Sequence, residues 1–252
     1  MDINKVLKIV KYSCPDSCLN GIGHVSIKQG ALQELCTLIR KYAKVVFVTD
    51  TETYNMCGIK IVNMLGDKLE KFALYESGFE SDEPSLEKLR LMIGSETELI
   101  LGAGGETVQN ICKYESRRAK LPYYMAAAFP SSVKCICPEA VLIKNHEKHI
   151  YPAQTPRAVI ADTNIMKFID YAKLKNDYEE MKQMFFRSEA KLTESANKIN
   201  CSEDAVKMFS ALKERFDEIE SGLRKQELKA VEKFMEMLLI LEAVNYDLKR
   251  IA

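Results

Sequence analysis

No uninterrupted apolar run in the chain is long enough to cross a bilayer, which excludes a membrane-spanning helix of the usual kind. No charge of one sign dominates: 36 Lys and Arg stand against 36 Asp and Glu. That balance gives no sign of nucleic-acid binding or of an acidic tail. Residues Met1 to Val10 lack the pattern of a secretory leader, because Asp2, Lys5 and Lys8 interrupt the apolar residues; a cytoplasmic protein is expected. Histidine is scarce. The three, His24, His146 and His149, all precede Tyr151. From Lys167 to Ala252 there is a single glycine, Gly222, and no proline. Cysteine, by contrast, is plentiful at eight residues. In the expected compartment these read as reduced thiols rather than a disulfide framework. Cys14, Cys18, Cys135 and Cys137 lack the spacing of a zinc ribbon and read as small buried hydrophobes before they read as zinc ligands.

The stretch that stands out is Leu99-Ile100-Leu101-Gly102-Ala103-Gly104-Gly105-Glu106-Thr107-Val108-Gln109-Asn110. An apolar strand pattern runs into glycines and then into a helical pattern. This is the layout of a loop whose backbone N–H groups face a phosphate at a helix N-terminus. A plain strand-to-helix turn has the same composition.

Around this stretch, strand and helix patterns alternate. Leu7 to Tyr12 and Val25 to Lys28 read as strands, and Ala31 to Tyr42 as a helix. Lys44 to Thr49 is a buried parallel strand, Glu52 to Leu65 a helix, and Phe72 to Tyr75 a strand. A helix over Ser85 to Ile93 begins at Pro84. Leu99 to Leu101, Val108 to Ala119 and Pro122 to Ala128 continue as strand, helix and strand, and Pro130 to Cys137 is irregular. Ala140 to Ile143 and His149 to Tyr151 form a hairpin, and Ala158 to Ala161 is the last strand. The expected class is α/β: an N-terminal Rossmann-like parallel-sheet domain over residues 1–161, then a smaller all-helical domain over 162–252. In the latter, Met208, Leu212, Phe216, Ile219 and Leu223 recur at helical spacing, as do Leu228, Val231, Met235, Leu238 and Leu239. Asp50, at the carboxyl end of a parallel strand, would bond a ribose hydroxyl or cap the following helix. Asp162 reads first as the cap of the opening helix of the second domain.

The order of these motifs resembles the glycerol-1-phosphate dehydrogenase branch of the superfamily that also holds dehydroquinate synthases and iron-containing alcohol dehydrogenases. The most specific segment is Tyr151-Pro152-Ala153-Gln154-Thr155-Pro156-Arg157-Ala158-Val159-Ile160-Ala161-Asp162-Thr163. Val48-Thr49-Asp50-Thr51-Glu52-Thr53-Tyr54 is similar to the family's first nucleotide-binding strand and acid. Gly104-Gly105-Glu106-Thr107, then Lys113-Tyr114, fall where the family has a triple glycine, a Thr and a Lys-Tyr pair. The resemblance implies NAD(P) in a cleft between two domains, contacted by Asp50, Gly102, Gly104, Gly105, Thr107 and Lys113. It also implies a zinc or iron ion, held by an Asp and two His, that polarises the substrate hydroxyl.

This chain departs from the pattern at the chemistry. Counting back from Pro138 and Ala140-Val141-Leu142 puts Val133-Lys134 in place of the family's metal-binding Asp-Gly, and Ala127-Ala128 in place of its Pro-Thr. No histidine follows in the helical part, Met166 to Asn176 reads as plain helix, Glu106 replaces the third glycine, and Asn110 replaces an Asp. A family metal site is therefore expected to be absent. A carboxylate at Glu106 is expected to weaken pyrophosphate binding without abolishing it.

Three functions follow. The first is a degenerate relative, a pseudoenzyme that keeps a weakened dinucleotide cleft. The second is a working NAD(P)H-dependent oxidoreductase acting on dihydroxyacetone phosphate or a similar small carbonyl, with any metal drawn from His146, His149, Asp162 or a cysteine pair and with Lys148 and Asp162 as candidate catalytic groups. The third is an interaction module whose helical half meets another copy or a protein partner.

Overall fold

The computed structural model describes residues 18–167, 169–195 and 212–251. The strand expected at Leu7 to Tyr12, Cys14 and Cys201, and the helical position Met208 lie outside them. Among the described residues the strands are β1 (His24–Lys28), β2 (Val45–Asp50), β3 (Leu69–Tyr75), β4 (Leu99–Gly104), β5 (Tyr123–Ala127), β6 (Glu139–Lys144), β7 (Glu147–Pro152) and β8 (Ala158–Asp162). Six form one parallel sheet in the order β1-β8-β5-β4-β2-β3. The other two, β6 and β7, form a separate antiparallel hairpin. Its turn residues Asn145 and His146 both have positive φ, 52° and 64°, as a two-residue turn matched to strand twist requires.

The sheet is buried on both faces, so its strands read as near-continuous apolar runs. Side chains alternate between two cores. Val45, Phe47, Leu99, Leu101, Tyr124 and Ile160 face one layer with Leu32, Leu35, Ile61 and Leu65. Val46, Val48, Ile100, Tyr123, Met125 and Val159 face the other with Val108, Ile111 and the C-terminal helices.

The helices are α1 (Leu35–Leu38), α2 (Thr51–Thr53), α3 (Ile59–Leu65), α4 (Glu83–Met92), α5 (Glu106–Ala119), α6 (Thr163–Met166), α7 (Tyr171–Ser195), α8 (Phe216–Arg224) and α9 (Leu228–Ile251). Three differ from the periodicity. The helix expected to Tyr42 ends at Leu38, and past its end the carbonyls of Arg40 and Tyr42 accept from Lys68 Nζ. The helix expected over Glu52 to Leu65 is interrupted by a π-helical turn, Tyr54–Gly58, where the Tyr54 ring lies against Gly58 and Phe72. The plain helix expected over Met166 to Asn176 breaks after Met166, and Asp170 accepts the Ala172 N–H at 2.6 Å to start α7 afresh.

After β8 every described element is helical. Their apolar stripes meet at Tyr178, Phe185, Phe216 and Phe234, with the Tyr178 hydroxyl donating to the Phe216 carbonyl at 2.7 Å. This cluster is continuous with one face of the sheet. No helix among the described residues is long and apolar enough to cross a membrane.

Helix α5 packs very closely on β4. A Cβ on Gly102 would lie 2.7 Å from Cys112 Sγ and 3.3 Å from Gln109 Oε1. Gly102→Ala is therefore expected to cost about 1–3 kcal/mol by overpacking. In urea denaturation the Gly102→Ala/Cys112→Ala double variant should lose less than the sum of its single variants. Additive losses would show that the helix shifts freely.

Candidate functional site

The chain runs from β2 outward to β3 and then returns to the other side of β2 for β4. A crevice opens at the carboxyl ends of parallel strands where the order reverses in this way. The structure has a cleft of about 300 Å³ there. It is lined from the end of β2 by Asp50, from α2 by Glu52, from the turn after β3 by Ser77 to Phe79, from the start of α5 by Gly105 to Val108, from the segment after β5 by Phe129 and Ser131, and from α7 by Lys173.

The loop between β4 and α5 is held by buried polar contacts. The Gly104 carbonyl is drawn inward by two donors, Gln109 Nε2 at 2.9 Å and Ser132 Oγ at 2.8 Å. Gln109 in turn accepts the buried Tyr123 hydroxyl. A Cβ on Gly104 would lie 2.5 Å from Val108 Cγ2 and 3.0 Å from Asp50 Oδ2, so only glycine allows β2 and α5 to come together here. Gly105 starts α5 and no side chain caps it. The first N–H groups of a 14-residue helix thus stand at the cleft with their partial positive charge.

The capping reading of Asp50 is the one seen. Its Oδ1 accepts the Thr53 N–H at 2.7 Å and caps α2, while Oδ2 faces the glycine loop. Asp50, Gly105 and Thr107 line the cleft; Gly102 and Gly104 lie behind it as packing positions. Lys113 is elsewhere. It is buried, and its ammonium donates to the carbonyls of Cys135 and Cys137 at 3.2 and 3.3 Å. It braces the segment Pro130–Ile136, a 3-10 stretch where an irregular loop was expected. Asn110 likewise bonds the β6 backbone, accepting from the Val141 N–H at 3.2 Å.

Neither candidate catalytic group lines the cleft. Lys148 is exposed on β7. Asp162 is buried and its carboxylate accepts the N–H groups of Gly30, Leu32 and Asn164 at 2.8, 3.3 and 3.1 Å. It caps α6 and ties the turn after β1, the structural role that its position suggested. His146 sits in the hairpin turn, and exposed His149 lies 3.9 Å from Glu147. His24 pairs with Glu34 at 2.8 Å. The thiols of Cys18 and Cys137 share a hydrogen bond at 3.1 Å, whereas Cys135 points to the Glu106 carbonyl at 3.9 Å. Burial pushes the Cys135 thiol up to about 12, which keeps it protonated.

Lys173 and Phe129 had no sequence signal, and the pairing of Lys134 had none. Lys173 comes from α7, and its ammonium lies 3.8 Å from the centre of the Phe129 ring and 3.9 Å from Glu52. Lys134 joins Glu106 at 3.2 Å to Glu180 at 2.8 Å, so the carboxylate at the start of α5 has its own counter-charge. Burial opposes the Lys134 charge, but hydrogen bonding to Glu180 and the field of both carboxylates outweigh it and raise the ammonium's pKa. Near this pair burial raises the Asp177 carboxyl, whose Oδ2 has no hydrogen-bond partner.

Known proteins match this arrangement. The glycerol-1-phosphate dehydrogenase [NAD(P)+] of Bacillus velezensis is 29% identical over 154 residues, covering 58% of this chain and 39% of that protein. The enzyme of the same name from Methanosarcina barkeri is 27% identical over 148 residues, covering 56% and 41%. The chain thus spans about two fifths of the length of these relatives. In fold, it superposes on glycerol dehydrogenase from Schizosaccharomyces pombe with a TM-score of 0.74 at 18% identity, covering 90% of this chain and 61% of that one. Sulfoacetaldehyde reductase from Bifidobacterium kashiwanohense, solved in complex with NAD+, gives 0.68 at 10% identity, covering 88% and 64%. The family model described as iron-containing alcohol dehydrogenase matches residues 26–168. With more than half its length inside that match, and with the parallel sheet and glycine loop that go with it, the chain belongs to the iron-containing alcohol dehydrogenase family.

Proposed function

We propose that this chain is a dinucleotide-binding relative of the glycerol-1-phosphate dehydrogenases that does not carry out metal-assisted hydride transfer. The observation behind this reading is Lys134. The resemblance puts Val133-Lys134 where the family has its metal-binding Asp. Val133 is fully buried in the core, and Lys134 holds an ammonium between Glu106 and Glu180. A divalent cation at that place would meet a fixed positive charge instead of a carboxylate ligand. The residues present do not fit the ion.

They do fit a dinucleotide. The glycine loop and the uncapped start of α5 would receive the pyrophosphate, Asp50 Oδ2 a ribose hydroxyl, and the Phe129 face an apolar ring edge. The expected repulsion from Glu106 is offset by Lys134. Bound there, the nicotinamide group would supply a hydride carrier. The chain's own part is to seat it and to cover it with Lys173 from α7. On this reading the chain divides at Asp162 into a nucleotide-binding unit, 1–161, and a helical unit, 162–252, and the helical unit is the side open to a second copy or a protein partner.

The test is a thermal-shift titration with NADH and NADPH, each with and without zinc, alongside a turnover assay with dihydroxyacetone phosphate. Binding to the folded state alone adds about 2.7 kcal/mol of apparent stability at one hundred times Kd. A saturable, zinc-independent shift with no turnover is expected. Zinc-dependent turnover would overturn the reading in favour of a working oxidoreductase, and no shift with either dinucleotide would remove the ligand.

Two variants probe the charge cluster. Lys134→Met should cost about 1 kcal/mol, since its carboxylate partners are half exposed or more, and should weaken NADH binding several-fold by leaving Glu106 uncompensated. Adding Glu106→Gln should restore the affinity. For Asp177, burial raises the folded carboxyl above its unfolded value of about 3.9. Wild-type stability therefore falls as pH rises through that window. Asp177→Asn, neutral throughout, should melt higher than the wild type at pH 7 and equal to it at pH 3; a constant difference at both pH values would show that charge is not the cause.

A further inference from the structure

A second, larger cleft of about 790 Å³ lies at the opposite, amino-terminal edge of the sheet. The first residues of β1 and β8, His24 and Ala158, line it together with Tyr124 near the start of β5. Lys41 enters from the turn after α1, Arg117 from the last turn of α5, and Arg157 from the residue before β8. No Asp or Glu lines this cleft. The three cations are exposed, and among the described residues none of them forms an ion pair with a carboxylate. The Lys41 ammonium lies 5.1 Å from the centre of the Tyr42 ring. His24 is already held by Glu34, which also takes Ser26 and Lys28.

The mounting is rigid. The Arg157 N–H donates to the Tyr123 carbonyl at 2.8 Å, and its own carbonyl accepts from Gly23 and His24 at 2.9 and 3.2 Å. Its backbone is thus pinned across β1 and β5, in the middle of the segment that most resembles the family. Arg117 stands on a 14-residue helix. Two guanidinium groups on fixed supports suit bidentate binding of an oxyanion. The chain as a whole is neutral, so this local excess reflects a sorting of charge: the other cleft carries Asp50, Glu52 and Glu106. The volume lies in the range of small-molecule sites, and the cations gather in one hollow rather than in a stripe that would track a nucleic acid.

We propose that the amino-edge cleft is a second ligand site that takes a small phosphorylated anion with at least two negative charges. The site is independent of the dinucleotide cleft.

The experiment is isothermal titration calorimetry of the full chain with inorganic pyrophosphate at low ionic strength, with succinate as a carboxylate control. Saturable binding is expected, weakened at least tenfold in Arg117→Gln/Arg157→Gln, weakened less in Lys41→Gln, and unaffected by saturating NADH. The side chains are exposed, so unchanged melting by circular dichroism checks that the variants fold. Absence of saturable binding, unchanged affinity in the double variant, or competition by NADH would overturn the second site. Succinate binding as tightly as pyrophosphate would overturn the phosphate assignment.

Discussion

Helix α5 lies closer to strand β4 than any side chain at Gly102 or Gly104 would permit, and most of the site depends on that approach. It brings Gln109 within reach of the Gly104 carbonyl and the Tyr123 hydroxyl. Each of these groups is buried, and a buried polar group without a partner costs more than its hydrogen bond contributes. Satisfied together, they fix the loop in one conformation, its carbonyl inward and the helix start outward. Asp50 can then cap its own helix with one oxygen and face the loop with the other.

Electrostatics links this loop to the helical part. Glu106 opens α5, Lys134 follows β5, and Glu180 belongs to α7, so one ammonium connects three segments distant in sequence. Lys173 adds a second link through Phe129 and Glu52. Exposed ion pairs of this kind contribute little each to stability. Their greater effect is on potential: they determine how negative the floor of the cleft is. A carboxylate at a phosphate cradle looks unfavourable in isolation and acceptable beside its counter-charge.

The strands were legible because a parallel sheet covered on both faces leaves continuous apolar runs, as at Val45 to Val48 and Leu99 to Leu101. The capping role of Asp50 was legible because strand ends and helix caps leave local patterns. Lys113 was misplaced: its spacing after the glycines matched a family pair, but its ammonium meets backbone carbonyls that only tertiary packing brings near. Lys173 and Phe129 had no signal for the same reason, and Lys134 stood out only as a departure from the family, its partners Glu106 and Glu180 lying tens of residues away.

The sheet order carries a meaning for synthesis. β8, the last strand among the described residues, lies inside the sheet, and among those residues the edge strand β1 pairs with β8 alone. As the polypeptide emerges, β2 to β5 can assemble in turn, but among the described strands β1 has none to join until β8 has been made. Until then β5 shows an open edge, and the turn after β1 lacks the carboxylate that will receive its N–H groups. The nascent chain therefore waits on a single late segment, and that interval is when this fold is most open to mispairing.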